Sequence, residues 1–195
     1  MVVVGLTGGI GAGKSTLARL LGERGADVVD VDAIGRDVIA PGGPGAAAVQ
    51  ARFGTLDRRE LAPIVFGDDH ARHDLEAISW PLIEAELRCR VAASDAGVVV
   101  LDMAVLAQGL GQGIYGPVVT VEAPEEIRVA RLVERGMTEA DARARMQAQV
   151  PEAVRRALAS VVIVNDGPPE DLAAAADRVL ASLGSALPSA PTGRE

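Results

Sequence analysis

Residues 8–16 read GGIGAGKST, and the stretch from Gly8 to Ser15 fits the spacing G-x-x-x-x-G-K-[ST]. That spacing holds phosphates when it follows a strand and opens a helix. Glycines at positions 8, 9, 11 and 13, with the small Ala12 among them, let the backbone wrap without side chains in the way. The N–H groups then turn inward, toward phosphate oxygens, with help from the helix N-terminus. In such a loop Lys14 reaches the β and γ phosphates of ATP and the Ser15 hydroxyl ligates Mg²⁺, with Thr16 adding a contact at the α phosphate. Lys14 is the sole lysine of the chain, which otherwise uses arginine. A compact point charge is kept at the one place where a planar fork is not wanted.

A phosphate cradle does not name a reaction. Guanine readers carry an N-K-x-D signature, which a chain without a second lysine cannot form. The DAIG stretch at 32–35 imitates a switch motif but follows the second apolar run. The chain is too short for a large remodelling domain, so a kinase for a small acceptor is the favoured class. Its acceptor chemistry belongs at the carboxyl ends of strands. VVDVDAIGR supplies Asp30, Asp32 and Arg36 there. A carboxylate could take the proton of an acceptor hydroxyl while the arginine holds an anionic part of the acceptor. The plainer roles are solvation for Asp30 and helix capping for Asp32. At the end of VVVLD, Asp102 sits where a carboxylate would hold Mg²⁺ through water. Arg128, Arg131, Arg135, Arg143 and Arg145 crowd a region, 125–150, that reads as a lid over ATP. The alternative is a solvated face paired with Glu125, Glu126 and Glu134.

The elements that must position these residues alternate along the chain. Apolar runs at 2–7, 26–30, 97–102, 117–124 and 160–167 read as five buried strands. A helix with Leu17, Leu20 and Leu21 on one face spans 15–24. PGGPG at 41–45 is a loop, and 46–94 is helical with breaks expected near Gly54, Gly67 and Pro81. Another helix starts at Pro124 and stops at Gly136, and the next has Thr138 as its N-cap. A closing helix runs from Pro169 to about Gly184, and the tail 186–195 reads as disordered. Strands separated by helices give an α/β fold with a parallel sheet covered on both faces. One domain over 1–185 is expected.

With 49% hydrophobic and only 2% aromatic residues, the core must be Val, Leu, Ile and Ala. A net charge of −8 argues against a nucleic-acid binder. The lone Cys89 excludes a disulfide framework and, with two histidines, a zinc site; it reads as an inert structural thiol. No apolar stretch reaches membrane-span length and the N-terminus lacks a signal-peptide start, so a cytoplasmic protein is expected, monomeric or a small homo-oligomer.

The chain resembles the dephospho-coenzyme A kinase family. The matching pieces are LTGGIGAGKST at 6–16, VVDVDAIGRDVIAPGGPG at 28–45, TLDRRELAPIVF at 55–66, RLVERGMTEADARARMQAQ at 131–149 and VVIVNDG at 161–167. The second piece follows the family's V-I-D-A-D-x-I-A-R-x-V-x-x-P-G pattern and is the most specific. The resemblance implies a P-loop NTPase fold, with ATP-dependent phosphorylation of the ribose 3′-hydroxyl of dephospho-coenzyme A. It implies Asp32 as general base and Arg36 as an acceptor contact, with 46–94 as the acceptor-binding segment. The arginine-rich helices become the lid, and Asn165 lines the adenine pocket. The chain departs from the family at Trp80, Ala104, Gln108, Ser160 and Val164, and is short between Phe53 and Leu56. Those departures fall on acceptor-side and supporting positions and leave the cradle whole. The alternatives are a kinase of the same fold for another nucleoside or small alcohol, and a nucleotide-binding protein without turnover.

Overall fold

Val2–Gly8 forms β1, an apolar strand whose last five residues are buried, and it delivers the chain into the glycine loop. The structure is a computed structural model that describes residues 1–104, 110–111 and 113–185. After the loop, α1 (Lys14–Glu23) buries Leu17, Ala18 and Leu21. The chain then forms β2 (Asp27–Asp30), β3 (Val98–Asp102), β4 (Val118–Glu122) and β5 (Val161–Val164). These five strands make one parallel sheet in the order β2-β3-β1-β4-β5. Gly5 pairs with Leu101 on one side and with Val118 on the other, and Val121 pairs with Ile163. β1 leads to β2 on one side and the adjacent β3 leads to β4 on the other, so the carboxyl ends of β1 and β3 flank the point where the connections diverge. Ligands of open α/β sheets bind at that point.

The chain divides into two compact units, one of residues 1–29 with 94–195 and one of residues 30–93. The first contains the sheet core: Leu6, Val100, Val119 and Val121 pack with Leu17 and Leu21 of α1 and with Leu172, Ala176 and Val179 of α9 (Pro169–Ser185). Between β4 and β5 lie α6 (Glu125–Glu134), α7 (Glu139–Gln147) and α8 (Glu152–Leu158). Thr138 caps α7 by accepting from the Asp141 N–H, as its position predicts. Pro124 occupies the N-cap of α6, and Gly136, at φ +89°, follows its end. The sequence reading has no counterpart for α8. It is seven residues long and opens behind Pro151. Ser160 joins β4 to the start of β5, its N–H donating to the Val118 carbonyl at 2.8 Å and its Oγ accepting from the Val118 N–H at 3.3 Å. That places this family departure at the end of the sheet opposite the glycine loop.

The second unit is helical: α2 (Val31–Ile39), α3 (Ala46–Phe53), α4 (Arg58–Gly67) and α5 (Asp69–Ala93). Gly54 ends α3 with φ +75°, and α4 closes at Gly67. The break expected at Pro81 is absent, because α5 runs through it for 25 residues. Ser79, Ile83 and Leu87 are buried on either side of the exposed proline, and tertiary burial outweighs the one missing N–H. β2 ends at Asp30, as its apolar run predicts, and α2 follows directly, with Val31, Ile34 and Val38 recurring at helical spacing and buried. Gln108 and the tail 186–195 lie outside the described residues. Among the described residues no helix is long and apolar enough to cross a membrane.

Candidate active site

The loop between β1 and α1 is shaped by what lies against it. Gly11 and Gly13 hold φ of +78° and +108°, a region that side-chain-bearing residues rarely adopt. A Cβ on Gly8 would stand 2.5 Å from the Val121 carbonyl oxygen, and one on Gly13 would stand 2.3 Å from Asn165 Nδ2. The glycines therefore permit close packing as well as turning. Gly13 is also the N-cap of α1 and offers no side chain, so the first N–H groups of that helix are left to other acceptors.

Three side chains from outside the loop tie it down. Asn165, buried just past β5, donates from Nδ2 to the Ala12 carbonyl at 2.7 Å. Arg131 of α6 donates to the Asn165 carbonyl at 3.1 Å and to the Ala12 carbonyl at 3.5 Å. Gln149 Oε1 accepts from the Ile10 N–H at 2.8 Å. Lys14 pairs with the Asp102 carboxylate, and both side chains are largely shielded from solvent. Asp102 closes β3, so the pair brings the end of that strand to the loop. Ser15 is exposed at the first turn of α1.

Next to the loop lies a cavity of about 170 Å³ lined by Gly13, Thr16, Arg131, Arg135, Asn165 and Leu172, among others. It joins residues that the sequence assigns to nucleotide binding, although larger hollows exist elsewhere on the molecule. Arg128 of α6 runs along the loop, with Nη1 2.6 Å from where a Gly9 Cβ would sit. Arg143 is placed differently. It fans across Glu125, Glu126 and Glu139, which raise its pKa, with the Glu139 hydrogen bond as the largest cause. It ties α7 to the start of α6, and its contacts do not include the loop. Arg145 is exposed.

Sequence reasoning missed a buried group beneath the loop. Glu122, the last residue of β4, has no solvent exposure. Arg155 of α8 grips both its oxygens, at 2.8 and 2.6 Å, and the Thr120 hydroxyl donates to it at 2.7 Å. Arg155 Nη2 lies 3.1 Å from the Cβ position of Gly9. The available signal was the carboxylate itself: a glutamate closing the apolar run VVTVE must find a buried cation.

In the unit 30–93, the three acceptor-side candidates lie along α2, Asp30 before its first turn, Asp32 in it and Arg36 in its last. Asp30 is the N-cap, accepting from the Ala33 N–H at 2.7 Å and facing Arg36 at 3.5 Å. The capping role that the sequence offers to Asp32 thus belongs to Asp30, two residues earlier. Asp32 stands exposed in the first turn.

Comparison with known proteins points one way. The family model described as dephospho-CoA kinase matches residues 2–171. The dephospho-CoA kinase of Frankia casuarinae is 45% identical over 192 residues, spanning 94% of this chain and 84% of that protein. That of Streptomyces avermitilis is 48% identical over 182 residues, spanning 88% and 89%. Among solved structures, a Thermus thermophilus protein superposes with a TM-score of 0.82 at 35% identity, covering 93% of this chain and 97% of its own. A shikimate kinase from Acinetobacter baumannii, at 18% identity and a TM-score of 0.54 over 96% of both chains, shares the fold.

Proposed function

We propose how this chain, which belongs to the dephospho-CoA kinase family, divides among its residues the transfer of phosphate from ATP to the ribose 3′-hydroxyl of dephospho-coenzyme A. One observation carries the assignment on the ATP side: the glycine loop, Lys14 and Asp102 meet at the carboxyl ends of β1 and β3, with three further side chains fixing the loop. A preorganised nest of N–H groups binds a triphosphate without rearranging its own dipoles.

ATP enters with its triphosphate in the loop. Lys14 exchanges the Asp102 carboxylate for phosphate oxygens and neutralises charge as it develops on the transferring group. The adenosine end occupies the cavity between Thr16, Arg135 and Asn165. Ser15 and Asp102 offer a hydroxyl and a carboxylate, hard oxygen donors of the kind Mg²⁺ takes alongside phosphate and water. Bound there, Mg²⁺ would supply further charge neutralisation on the β and γ phosphates. On the acceptor side, Asp32 orients the ribose hydroxyl and accepts its proton, and Arg36 holds an anionic part of dephospho-coenzyme A. These two roles rest on the match of residues 28–45 to the family pattern. Arg131 on α6 and Arg135 at its C-cap are the lid arginines nearest the nucleotide and exclude water from the reacting phosphoryl group.

The test is ATP consumption with dephospho-coenzyme A as sole acceptor. Formation of the 3′-phosphorylated product supports the reading. Consumption only with other alcohols, or nucleotide binding with no transfer to any acceptor, overturns it.

A further inference from the structure

Arg128 is a buried cation without a counter-charge. The residue is 8% exposed, and its Nε is enclosed with no hydrogen-bond partner. Among the described residues no hydrogen bond or ion pair reaches its side chain. Its neighbour Arg155 is in the opposite condition, because Glu122 meets it with both oxygens. Glu122 also accepts from Thr120, so its acceptor capacity is engaged by other groups. Two guanidinium groups and one carboxylate therefore lie beneath Gly9, leaving one buried positive charge in excess.

Its placement follows the loop. The Cβ position of Gly11 is 2.9 Å from the Arg128 carbonyl oxygen and 3.2 Å from its Cα, while that of Gly9 is 2.6 Å from its Nη1. The side chain thus passes from under Gly11 to under Gly9 and forms the bed of the loop. A residue packed this tightly is not a finger that swings in from a lid. An unpaired buried charge weakens a fold, and it is tolerable where a ligand of opposite charge completes it.

We propose that Arg128 is a positioning residue whose fixed charge acts through the Gly9–Gly11 backbone to favour polyphosphate in the loop, at the expense of stability in its absence. The inference rests on the proposed ATP site and assigns it a device that the lid description of Arg128 does not contain. It makes two effects move in opposite directions. Arg128→Gln keeps much of the shape and removes the charge. The expected result is roughly ten-fold weaker binding of Mg-ATP, a smaller loss for Mg-ADP and none for adenosine. The variant should also melt a few degrees higher than the parent. In turnover, KM for ATP should rise more than kcat falls, and Arg128→Lys should recover most of the affinity.

Calorimetric titration of parent, Arg128→Gln and Arg128→Lys with adenosine, ADP and ATP, alongside thermal melts, decides the matter. Equal losses for adenosine and ATP, a lowered melting temperature in Arg128→Gln, or ATP affinity within two-fold of the parent would each overturn the proposal. An Arg128→Gln that binds ATP like a parent which itself binds tightly removes only this inference. A parent that binds no nucleotide removes the ATP site as well.

Discussion

The two sides of the proposed reaction are built in contrasting ways. The phosphate loop is held by enclosed groups: Asn165 and Arg128 are 8% exposed, Arg155 5%, and Glu122 not at all. The acceptor candidates Asp30, Asp32 and Arg36 are exposed along α2, and the ion pair between Asp30 and Arg36 spans 3.5 Å. One site is set before its ligand arrives; the other offers charges that water still solvates. A triphosphate is the same in every ATP, so a rigid nest suits it, and it draws on buried electrostatics undiluted by solvent. Exposed charges gain little from one another until an acceptor displaces the water around them.

Removing function from the open side while sparing the closed side is the sharpest way to separate them. Asp32→Asn should cut transfer by about 10²–10⁴-fold, the usual worth of a general base, with ATP affinity within two-fold of the parent. Steady-state kinetics with parallel ATP titration checks this, and wild-type transfer in the variant would remove Asp32 as the base. Stability should separate the regions next. Glu122→Gln leaves Arg155 buried without its carboxylate and should cost about 3–5 kcal/mol, or very roughly 6–20 °C of melting temperature. Arg52→Ala, which breaks the half-exposed pair with Asp74 in the unit 30–93, should cost under about 1 kcal/mol. Equal shifts for the two variants would erase the contrast.

Lys14→Ala should lower kcat/KM by the equivalent of about 2–4 kcal/mol, through charge at the transferring phosphoryl group. An effect confined to melting temperature would instead make the Lys14–Asp102 pair a structural one. The smallest expected effects belong to surface clamps. Arg143→Ala should loosen α7 slightly, in a salt-sensitive way, with kcat near that of the parent. Asp177 has its pKa lowered chiefly by the hydrogen bond from Arg24. Its contribution is therefore present above the ordinary carboxylate range and is lost as pH falls through the folded value. Asp177→Asn should lower the melting temperature a little at neutral pH and progressively less as pH falls below the ordinary carboxylate value. A difference that grew toward acid would reverse the sign of that linkage.

The same contrast governs what could be read from sequence. The loop was legible because GGIGAGKS constrains backbone, helix end and lysine together within eight residues. The five strands were legible as apolar runs, and the closing helix from its position after the last of them. The side chains under the loop were not, since Glu122, Gln149 and Arg155 carry no local motif and meet only through the fold. The end of the second strand at Asp30 was legible, but the cap of α2 was offered to Asp32 instead of Asp30, because only tertiary burial shows that Val31, Ile34 and Val38 already follow the helical period from position 31. Pro81 misled in the same way, a local breaker overruled by buried residues on both sides. Of the arginines crowded between 125 and 150, the sequence could not say that Arg143 would spend its hydrogen bonds on three glutamates.

In the proposed site backbone amides of the glycine loop grip the triphosphate, and their hydrogen exchange reads this grip most directly. Measured residue by residue, exchange at positions 8–16 should slow markedly when saturating Mg-ATP is added to the parent protein, and much less with adenosine. Unchanged exchange across that loop, in protein shown to be saturated with ATP, would contradict the claim and place the nucleotide elsewhere.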